Sequence, residues 1–149
     1  MTALATDQGL AGLWFDGQKH HPGALLAPDD PDHPTLRATA RWLQAYWAPA
    51  GKATPLPALD LSHGTPFQRA VWSALLQIPA GSTSTYAAMA AAAGSPAAVR
   101  AAGAAIGRNP ISLIVPCHRV LGRSGALTGY AGGLDRKQAL LTHEGAAPA

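Results

Sequence analysis

The residues best suited to chemistry lie together in the segment Pro116-Cys117-His118-Arg119. Cys117 is the single cysteine of the 149-residue chain, so an intramolecular disulfide is excluded. A cysteine attacks as its thiolate, and a histidine can take the thiol proton if a carboxylate orients the ring. Because neighbouring side chains seldom face each other, we expect a water molecule between Cys117 and His118. The segment therefore indicates a nucleophilic cysteine with a histidine base.

Two other interpretations of Cys117 stay open on these residues alone. A lone cysteine is often an inert buried side chain. Cys117 and His118 could instead bind a metal ion, but zinc sites usually take several cysteine or histidine ligands. The chain has no second cysteine, and its other histidines show no ligand spacing. We therefore expect no metal site and no cofactor.

The chain around Cys117 predicts the elements that position it. Residues 109–115 form an apolar run, which predicts a strand that delivers Cys117 at its end. Thr65 followed by Pro66 predicts the start of a helix that ends before Pro79. The apolar face of this helix consists of Phe67, Val71, Trp72, Leu75 and Leu76.

Two further short helices are predicted over residues 85–93 and 97–106. Between them, Ser95 and Pro96 predict the cap and the first position of the later helix. Two helices joined by so brief a turn indicate a helix-turn-helix. The alanines of the later helix have two interpretations. Alanine is the best helix former, and small side chains also let a helix approach a nucleic-acid backbone closely.

The first part of the chain predicts mixed secondary structure. Residues 10–15 predict a strand that ends in a turn at Asp16-Gly17. The proline-rich residues 20–34 predict a loop, and Pro49 and Gly51 mark the end of the helix that follows it. The apolar side chains at helical spacing in that helix are Leu36, Leu43, Tyr46 and Trp47.

We therefore expect an α/β protein with a small N-terminal α/β subdomain over residues 1–63. It would pack on a helical subdomain over residues 64–149 that contains the helix-turn-helix. Hydrophobic residues make up 48% of the chain and charged residues 13%, which is a globular composition. No membrane-spanning run and no signal peptide are recognisable, so a cytoplasmic protein without a membrane partner is expected. The net charge of +3 favours a polyanionic partner only weakly.

Taken together, these residues resemble the O6-alkylguanine-DNA alkyltransferases, also called methylated-DNA–protein-cysteine methyltransferases. The resemblance covers residues 64–145, and its whole series in order is far more specific than Pro-Cys-His-Arg alone. The series is Gly64-Thr65-Pro66-Phe67-Gln68, Val71-Trp72, Ile78-Pro79, Tyr86, Arg100, Asn109-Pro110, Pro116-Cys117-His118-Arg119-Val120, Gly129-Tyr130, Arg136-Lys137 and Leu140-Leu141. The resemblance implies the same two-subdomain fold.

The resemblance also implies catalytic roles. Cys117 would accept the alkyl group, His118 would act through water as its base, and Glu144 would orient His118. Asn109 would brace the turn before the active-site loop, and the Tyr86 hydroxyl would donate a hydrogen bond to guanine N3 as negative charge develops. Taken alone, Glu144 would be a solvated residue and Tyr86 a helix-packing side chain. Asn109 would belong to an ordinary Asn-Pro turn.

Substrate recognition is implied at Val120, Tyr130 and Ala131. The backbone carbonyls of Cys117 and Val120 would accept from the exocyclic amine of guanine, and the amide of Ala131 would donate to O6. These contacts distinguish guanine from adenine, which lacks that amine. Ala131 and Ser112 are expected to line the pocket.

DNA contacts are implied for Arg100, Arg108 and Arg119. Arg100 matches the arginine that fills the space left when the target nucleotide rotates out of the duplex, whereas a surface ion pair is the alternative. Arg108 and Arg119 are assigned as phosphate contacts, with a structural ion pair as the alternative for both. The resemblance implies binding in the minor groove, where sequence information is degenerate.

The sequence thus predicts a DNA repair protein that binds duplex DNA as a monomer. It would flip O6-alkylguanine, or O4-alkylthymine, and transfer the alkyl group once and irreversibly to Cys117. One alternative is a non-catalytic damage sensor of the alkyltransferase-like type, whose members typically lack the cysteine. A helix-turn-helix transcription regulator would leave the Cys117–Glu144 series unexplained. Relatives usually carry a strand before the equivalent of Leu10, whereas this chain begins only a few residues earlier, so either a reduced N-terminal sheet that lacks this strand or a misassigned start site is expected.

Overall fold

A computed structural model describes residues 1–49 and 54–146, and it opens with an antiparallel hairpin. Strand β1 (Thr2–Thr6) pairs with β2 (Gly9–Trp14), with a register irregularity between Leu4 and Ala5. Strand β1 occupies the short stretch before Leu10, so the expectation that the strand before Leu10 is missing is wrong. Every residue of β2 is buried, and the chain then turns at Asp16-Gly17 as predicted.

Helix α1 (Pro34–Trp47) begins inside the segment predicted to be a loop. The reason is a local cap: Nδ1 of His33 accepts a hydrogen bond from the Thr35 amide over 3.2 Å, and Pro34 takes the first helical position. The helix ends before Pro49, as predicted. Gly51, the second predicted stop, lies outside the described residues.

Helices α2 (Pro66–Leu75), α3 (Tyr86–Ala92) and α4 (Val99–Gly107) pack against one another. The predicted cap at Thr65 is confirmed, and it belongs to a capping box in which the Thr65 and Gln68 side chains each bond the other's backbone amide. The side chain of Trp72 ties α2 to α4 by donating to the Ala105 carbonyl over 2.8 Å.

The predicted cap of α4 is wrong. Ser95 and Pro96 lie in the turn after α3, and the backbone carbonyl of Ser95 accepts from the Ala98 amide over 2.9 Å. Ala98 is the N-cap of α4, and its side chain makes no capping bond in the described part of the chain. The Ser-Pro pair is used to close a turn, so the helix starts at Val99, two residues later than predicted.

The strand predicted over residues 109–115 is also wrong. Only Ile111 forms a bridge, pairing with Leu13 of β2, and the chain then coils. Leu113 adopts a positive φ of 74°, and the amide of Val115 bonds the carbonyl of Ile111 over 3.1 Å, closing a turn. The run is apolar because its side chains are buried on all sides, which a sequence pattern cannot distinguish from a strand.

The remaining elements complete a mixed α/β fold, as predicted. A 3-10 turn (Cys117–Arg119) leads into strand β4 (Val120–Leu121), which pairs in parallel with β3 (Ser84–Thr85). Helix α5 (Leu134–His143) closes the described chain, and its C-cap is Glu144. The main core joins β2, α2, α3 and α4 to the buried segment around Cys117. Among the described residues, none of the helices is long and apolar enough to cross a membrane.

Candidate active site

Cys117 begins the 3-10 turn and is 5% exposed. Its sulfur accepts a hydrogen bond from the Asn109 side-chain amide over 3.1 Å. Burial raises the pKa of the Cys117 thiol, because it disfavours the charged thiolate, and the Asn109 hydrogen bond offsets this only in part. The group is therefore a protonated thiol at neutral pH.

Asn109 holds the coil that replaces the predicted strand. Its Oδ1 accepts from the Ile111 amide over 2.9 Å, while Nδ2 donates to the Val115 carbonyl over 2.8 Å and to Cys117. One buried side chain thus fixes three points of the segment that carries the thiol. The bracing role that the resemblance implies for Asn109 stays a prediction.

His118 is completely buried and its Nε2 lies 2.8 Å from Oε2 of Glu144. Burial lowers the pKa of His118 and outweighs the opposing effect of Glu144, so the imidazole is neutral at neutral pH. An ionised carboxylate only accepts hydrogen bonds, so Nε2 carries the hydrogen and Nδ1 holds a lone pair. This Nδ1 atom is buried and has no hydrogen-bond partner among the described residues.

The guanidinium of Arg119 binds the same carboxylate, that of Glu144. Its Nε donates to Oε1 of Glu144 over 2.8 Å, Nη2 donates to Oε2 over 2.9 Å, and Nη1 donates to the Ile78 carbonyl over 2.7 Å. The Glu144 side chain is 2% exposed and that of Arg119 10%. These contacts favour the structural ion pair over a phosphate contact, because the guanidinium is buried and every nitrogen has a partner.

Glu144 stays ionised in this environment. Burial alone would raise the pKa of Glu144, but the hydrogen bonds from His118 and Arg119 outweigh burial and lower the pKa to about 2. Another contact comes from Tyr46 of α1, whose hydroxyl donates to Oε2 of Glu144 over 2.7 Å. The sequence pattern predicts Tyr46 only as part of an apolar helix face, and no local signal marks its distant partner.

Cys117 lies in the wall of a cavity of about 280 Å³. Tyr86, predicted to be catalytic, and Tyr130 and Ala131, predicted to bind substrate, line this cavity with it. Sequence analysis missed the contribution of the N-terminal part and of the small-residue face of α4. The additional lining residues are Lys19, His20, Gly103, Ile106, Gly107 and Gly129.

The loop that forms one wall of this cavity is held by Lys137. Nζ of Lys137 donates to the Thr128 carbonyl over 2.6 Å, although the residue is 0% exposed. Burial lowers the pKa of Lys137 to about 8, with an opposing effect of Cys117. The hydroxyl of Thr128 in turn donates to that of Tyr86 over 3.3 Å. Lys137 belongs to the matched Arg-Lys pair, but sequence analysis gave it no role.

Other predicted residues lie outside the cavity. The side chain of Val120 is buried in β4, and Ser112 is buried with its hydroxyl donating to Oε1 of Gln18 over 3.0 Å. Neither is among the described residues that line the cavity, so the expectation that Ser112 lines it is wrong. Arg100 and Arg108 are exposed at opposite ends of α4.

This arrangement defines a buried thiol beside a solvent-reached cavity, with a histidine–carboxylate pair next to it. The family model described as 6-O-methylguanine DNA methyltransferase, DNA binding domain, matches residues 66–146. A methylated-DNA–protein-cysteine methyltransferase of Mycolicibacterium paratuberculosis is 44% identical over 145 residues, covering 97% of this chain and 85% of the relative. The chain therefore belongs to the 6-O-methylguanine DNA methyltransferase family.

Further comparisons agree with that membership. The methylated-DNA–protein-cysteine methyltransferase of Salmonella typhimurium is 57% identical over 97 residues, which cover 64% of this chain. The match spans only 57% of that relative's length. The crystal structure of Mycobacterium tuberculosis OGT in complex with DNA superposes with a TM-score of 0.83 at 42% identity, covering 99% of this chain and 88% of that one.

Proposed function

We propose that this protein repairs DNA by transferring the alkyl group of O6-alkylguanine to its own Cys117. The observation that carries this proposal is the buried Cys117 sulfur in a cavity wall, adjacent in sequence to a histidine that is hydrogen-bonded to an ionised carboxylate. The family membership supports it, since relatives are named methylated-DNA–protein-cysteine methyltransferases. O4-alkylthymine presents the same kind of alkyl–oxygen bond, and we include it as a second substrate.

The proposed reaction begins with removal of the thiol proton. His118 acts through a water molecule at Nδ1, while Glu144 holds Nε2 and stabilises the imidazolium that forms. The thiolate attacks the alkyl carbon, so that a sulfur–carbon bond forms and the carbon–O6 bond breaks. The electron pair passes to the guanine ring, which takes up one proton from water and leaves as neutral guanine, while the His118 imidazolium returns the thiol proton to water. The net change is one proton moved from the thiol to guanine. Tyr86, in the cavity wall, donates a hydrogen bond to guanine N3 as that charge develops.

Recognition of guanine in this proposal uses backbone groups. The carbonyl of Cys117 accepts from the exocyclic amine, and the amide of Ala131 donates to O6. A contact from the Val120 carbonyl would require the base to reach beyond the residues that line the cavity. The Cys117 carbonyl already accepts from the Val120 amide within the 3-10 turn and has a second lone pair for the base. Tyr130 forms part of the cavity wall against which the base lies.

Binding to duplex DNA is proposed to use α3 and α4 as a helix-turn-helix in the minor groove. The target nucleotide must leave the stack, because a side chain cannot reach the O6 substituent inside the duplex. Arg100, exposed at the second position of α4, would fill the vacated space, and Arg108 would contact a phosphate. The Mycobacterium tuberculosis relative was crystallised with DNA, which supports DNA as the partner.

We further propose that the protein acts as a monomer with subdomains over residues 1–63 and 64–149. The cavity supports a functional contribution from both, since Lys19 and His20 line it together with residues of α3 and α4. A non-catalytic damage sensor is the alternative function. The presence of Cys117, which such sensors typically lack, favours the transferase.

Intact-mass measurement after incubation with duplex DNA containing O6-methylguanine tests this function. The expected result is a mass increase of one methyl group, mapped by peptide analysis to Cys117, with loss of the methyl group from the DNA. DNA without the lesion provides the control. Unmodified protein together with tight binding to the lesion would support the sensor instead.

A further inference from the structure

Tyr46 connects the N-terminal helix to the carboxylate behind the proposed nucleophile. Its hydroxyl donates to Oε2 of Glu144 over 2.7 Å, across 98 positions in sequence. The Tyr46 ring is fixed by a stacked contact with Trp42, at 5.2 Å between ring centroids, and an edge contact with Trp47 at 4.8 Å. The direction of the hydroxyl is therefore set by the aromatic face of α1.

A second contact ties the same two helix ends together. Nε2 of His143 lies 2.6 Å from the backbone carbonyl of Tyr46, and the two rings are 4.9 Å apart. His143 is the last residue of α5 and directly precedes Glu144. The C-terminal end of α1 thus holds both the backbone position and the side chain of the residue that contacts His118.

The Tyr46 hydroxyl and the His118 imidazole both donate to the same oxygen of Glu144, Oε2. Oε2 of Glu144 accepts from Tyr46 at 2.7 Å, from His118 at 2.8 Å and from Arg119 at 2.9 Å. Each donor withdraws electron density from that oxygen, so removing one makes the carboxylate a stronger acceptor for the others. His118 would respond with a higher proton affinity.

Tyr46 remains a donor throughout the range in which such a protein would work. Burial, and then the hydrogen bond to Glu144, raise the pKa of Tyr46 far above its ordinary value. A phenol that never ionises acts on Glu144 as a constant neutral dipole. It therefore differs from Arg119, whose removal would leave a buried carboxylate without its countercharge.

We propose that Tyr46 is a positioning residue for alkyl transfer: its hydroxyl orients the Glu144 carboxylate and limits the basicity that Glu144 confers on His118. This inference rests on the proposed function and deepens it, because it assigns the N-terminal helix a part in the chemistry. Sequence spacing accounts for Tyr46 only as an apolar contact, and the hydroxyl adds nothing to such a contact.

The charged and titratable groups around Glu144 and His118 come from the 3-10 turn, α1, α5 and the Tyr130 loop. Glu144 meets His118 and Arg119 from the 3-10 turn and Tyr46 from α1. His118 additionally senses the positive charge of Lys137 from α5, and the Tyr130 ring lies 6.4 Å from its own. His143 packs on the Tyr46 ring from α5. Removing the neutral hydroxyl leaves every one of these charges in place.

The primary test is Tyr46→Phe, which deletes the hydroxyl and keeps the aromatic contacts. Transfer rates from methylated duplex DNA are measured across the acidic and neutral range. The acid limb of the profile is expected to move to higher pH by roughly half a pH unit or more, since a hydrogen bond to a charged group is lost. Thr39→Val, which deletes another hydroxyl of α1 that bonds the Thr35 carbonyl over 2.8 Å, is the matched control and should keep the original profile.

A role in packing alone predicts a different result. The rate would then fall by the same factor at every pH, and that outcome would overturn the proposal. Site-specific replacement of Tyr46 by 3,5-difluorotyrosine gives a second, folded test, because the more acidic phenol is a stronger donor. Its acid limb is expected to move to lower pH, opposite to Tyr46→Phe. Shifts in the same direction, or no shift in either protein, would contradict the assignment.

Nuclear magnetic resonance titration of the His118 imidazole in free protein separates this inference from the proposed function. The pKa of His118 is expected to be higher in Tyr46→Phe than in the parent protein. An unchanged value would refute the role of Tyr46 even if alkyl transfer occurs. A parent protein that transfers no alkyl group would refute the proposed function, whereas the titration would still decide whether Tyr46 controls His118.

Discussion

The side-chain amide of Asn109 donates a hydrogen bond to the sulfur of Cys117 over 3.1 Å, with both residues buried. A neutral amide stabilises a thiolate less than a cation would, and burial raises the pKa of the Cys117 thiol. Reactive cysteines usually lie in exposed, electropositive surroundings with a lowered pKa. In the proposed mechanism, the reactivity of Cys117 therefore depends on proton removal by His118.

Replacing Cys117 by serine is expected to abolish alkyl transfer while DNA affinity changes little. A serine hydroxyl is a far weaker nucleophile than a thiolate, whereas the proposed DNA contacts lie on α3 and α4. Transfer is followed by intact mass and binding by fluorescence anisotropy on the same methylated duplex. Residual transfer in Cys117→Ser would rule out the assigned acceptor.

Replacing Arg100 by alanine is expected to impair repair of duplex DNA much more than reaction with a free O6-alkylguanine base. A free base does not have to rotate out of a stacked duplex, so its reaction does not need Arg100 to fill a vacated space. Arg41→Ala, which removes a charge that is also exposed from α1, controls for net charge. Equal losses on both substrates would show that Arg100 acts in another way.

The lowered pKa of Glu144 predicts how the free energy of unfolding depends on pH. The pKa of Glu144 is about 2 in the folded protein and 4.5 as its ordinary value, with the hydrogen bonds from His118 and Arg119 outweighing burial. Because the folded value is the lower one, the stabilisation is complete above pH 4.5 and is lost as pH falls towards 2. Glu144→Gln should therefore cost most at neutral pH, about 3–5 kcal/mol, since it leaves Arg119 buried without its countercharge.

Urea unfolding of both proteins at neutral pH and at about pH 3 measures this dependence. The difference in free energy of unfolding between the parent and Glu144→Gln is expected to shrink at the lower pH. Asp60 has a pKa lowered to about 2 by hydrogen bonds from Ser62 and Thr6, so Asp60→Asn shows how much acid sensitivity arises elsewhere. A difference that stays constant with pH would mean that Glu144 is protonated in the folded protein.

Because Gly103 lines the cavity, enlarging its side chain tests how cavity size limits the alkyl groups that can be transferred. A Cβ at this position of α4 would lie 3.7 Å from the Tyr86 ring, which is ordinary contact, so Gly103→Ala should fold. It should even be more stable by roughly 0.5–1 kcal/mol, as alanine is favoured over glycine inside a helix. Transfer of a benzyl group is expected to slow several-fold more than transfer of methyl, because the new methyl group occupies the cavity. Parallel rate changes for both adducts would argue against a steric limit at Gly103.

Each molecule is expected to act once, so that alkyl groups removed reach a plateau at about one per protein. Attack on an alkyl carbon yields a thioether, which, unlike a thioester, offers no carbonyl for water to attack. No second cysteine exists in the chain to resolve the adduct. Titration of protein against excess methylated DNA gives the plateau, and the mass of the peptide containing Cys117 identifies the product. Sustained turnover would require another mechanism.

The product form is expected to be less stable than the free protein. A new alkyl group on a thiol that is 5% exposed must take space in a packed site, which typically costs on the order of 1–3 kcal/mol. Thermal unfolding before and after reaction, with Cys117→Ser as a control for exposure to alkylated DNA, measures the change. An unchanged melting temperature would indicate that the adduct lies entirely in the open cavity.

Local signals in the sequence predicted some local features and not others: the cap at Thr65 is confirmed, whereas the cap at Ser95 is wrong. Thr65 and Pro66 began α2 as expected, because a cap depends on residues within one helical turn. The residues around Cys117 were recognisable for the same reason. The strand predicted over residues 109–115 was wrong, because a continuous apolar run indicates that side chains are buried but does not determine the backbone geometry.

Long-range contacts were beyond any pattern in the chain. The bond between Tyr46 and Glu144 joins helix ends 98 residues apart, and Lys137 looks like a solvated lysine until packing buries it. The resemblance named Glu144 as the partner of His118, and the structure places the two side chains 2.8 Å apart. It gave no indication that Arg119 binds the same carboxylate.

Lys137 and Glu144 are seven positions apart along α5, close to two full helical turns, and so they project from the same side of the helix. Lys137 bonds the Thr128 carbonyl and Glu144 bonds His118. Helix α5 therefore fixes the distance between the cavity wall and the His118 imidazole. Inserting or deleting one residue between them would rotate one partner by about 100° relative to the other. Substitutions between these two positions can accumulate without altering this spacing, whereas a change in the length of the segment cannot.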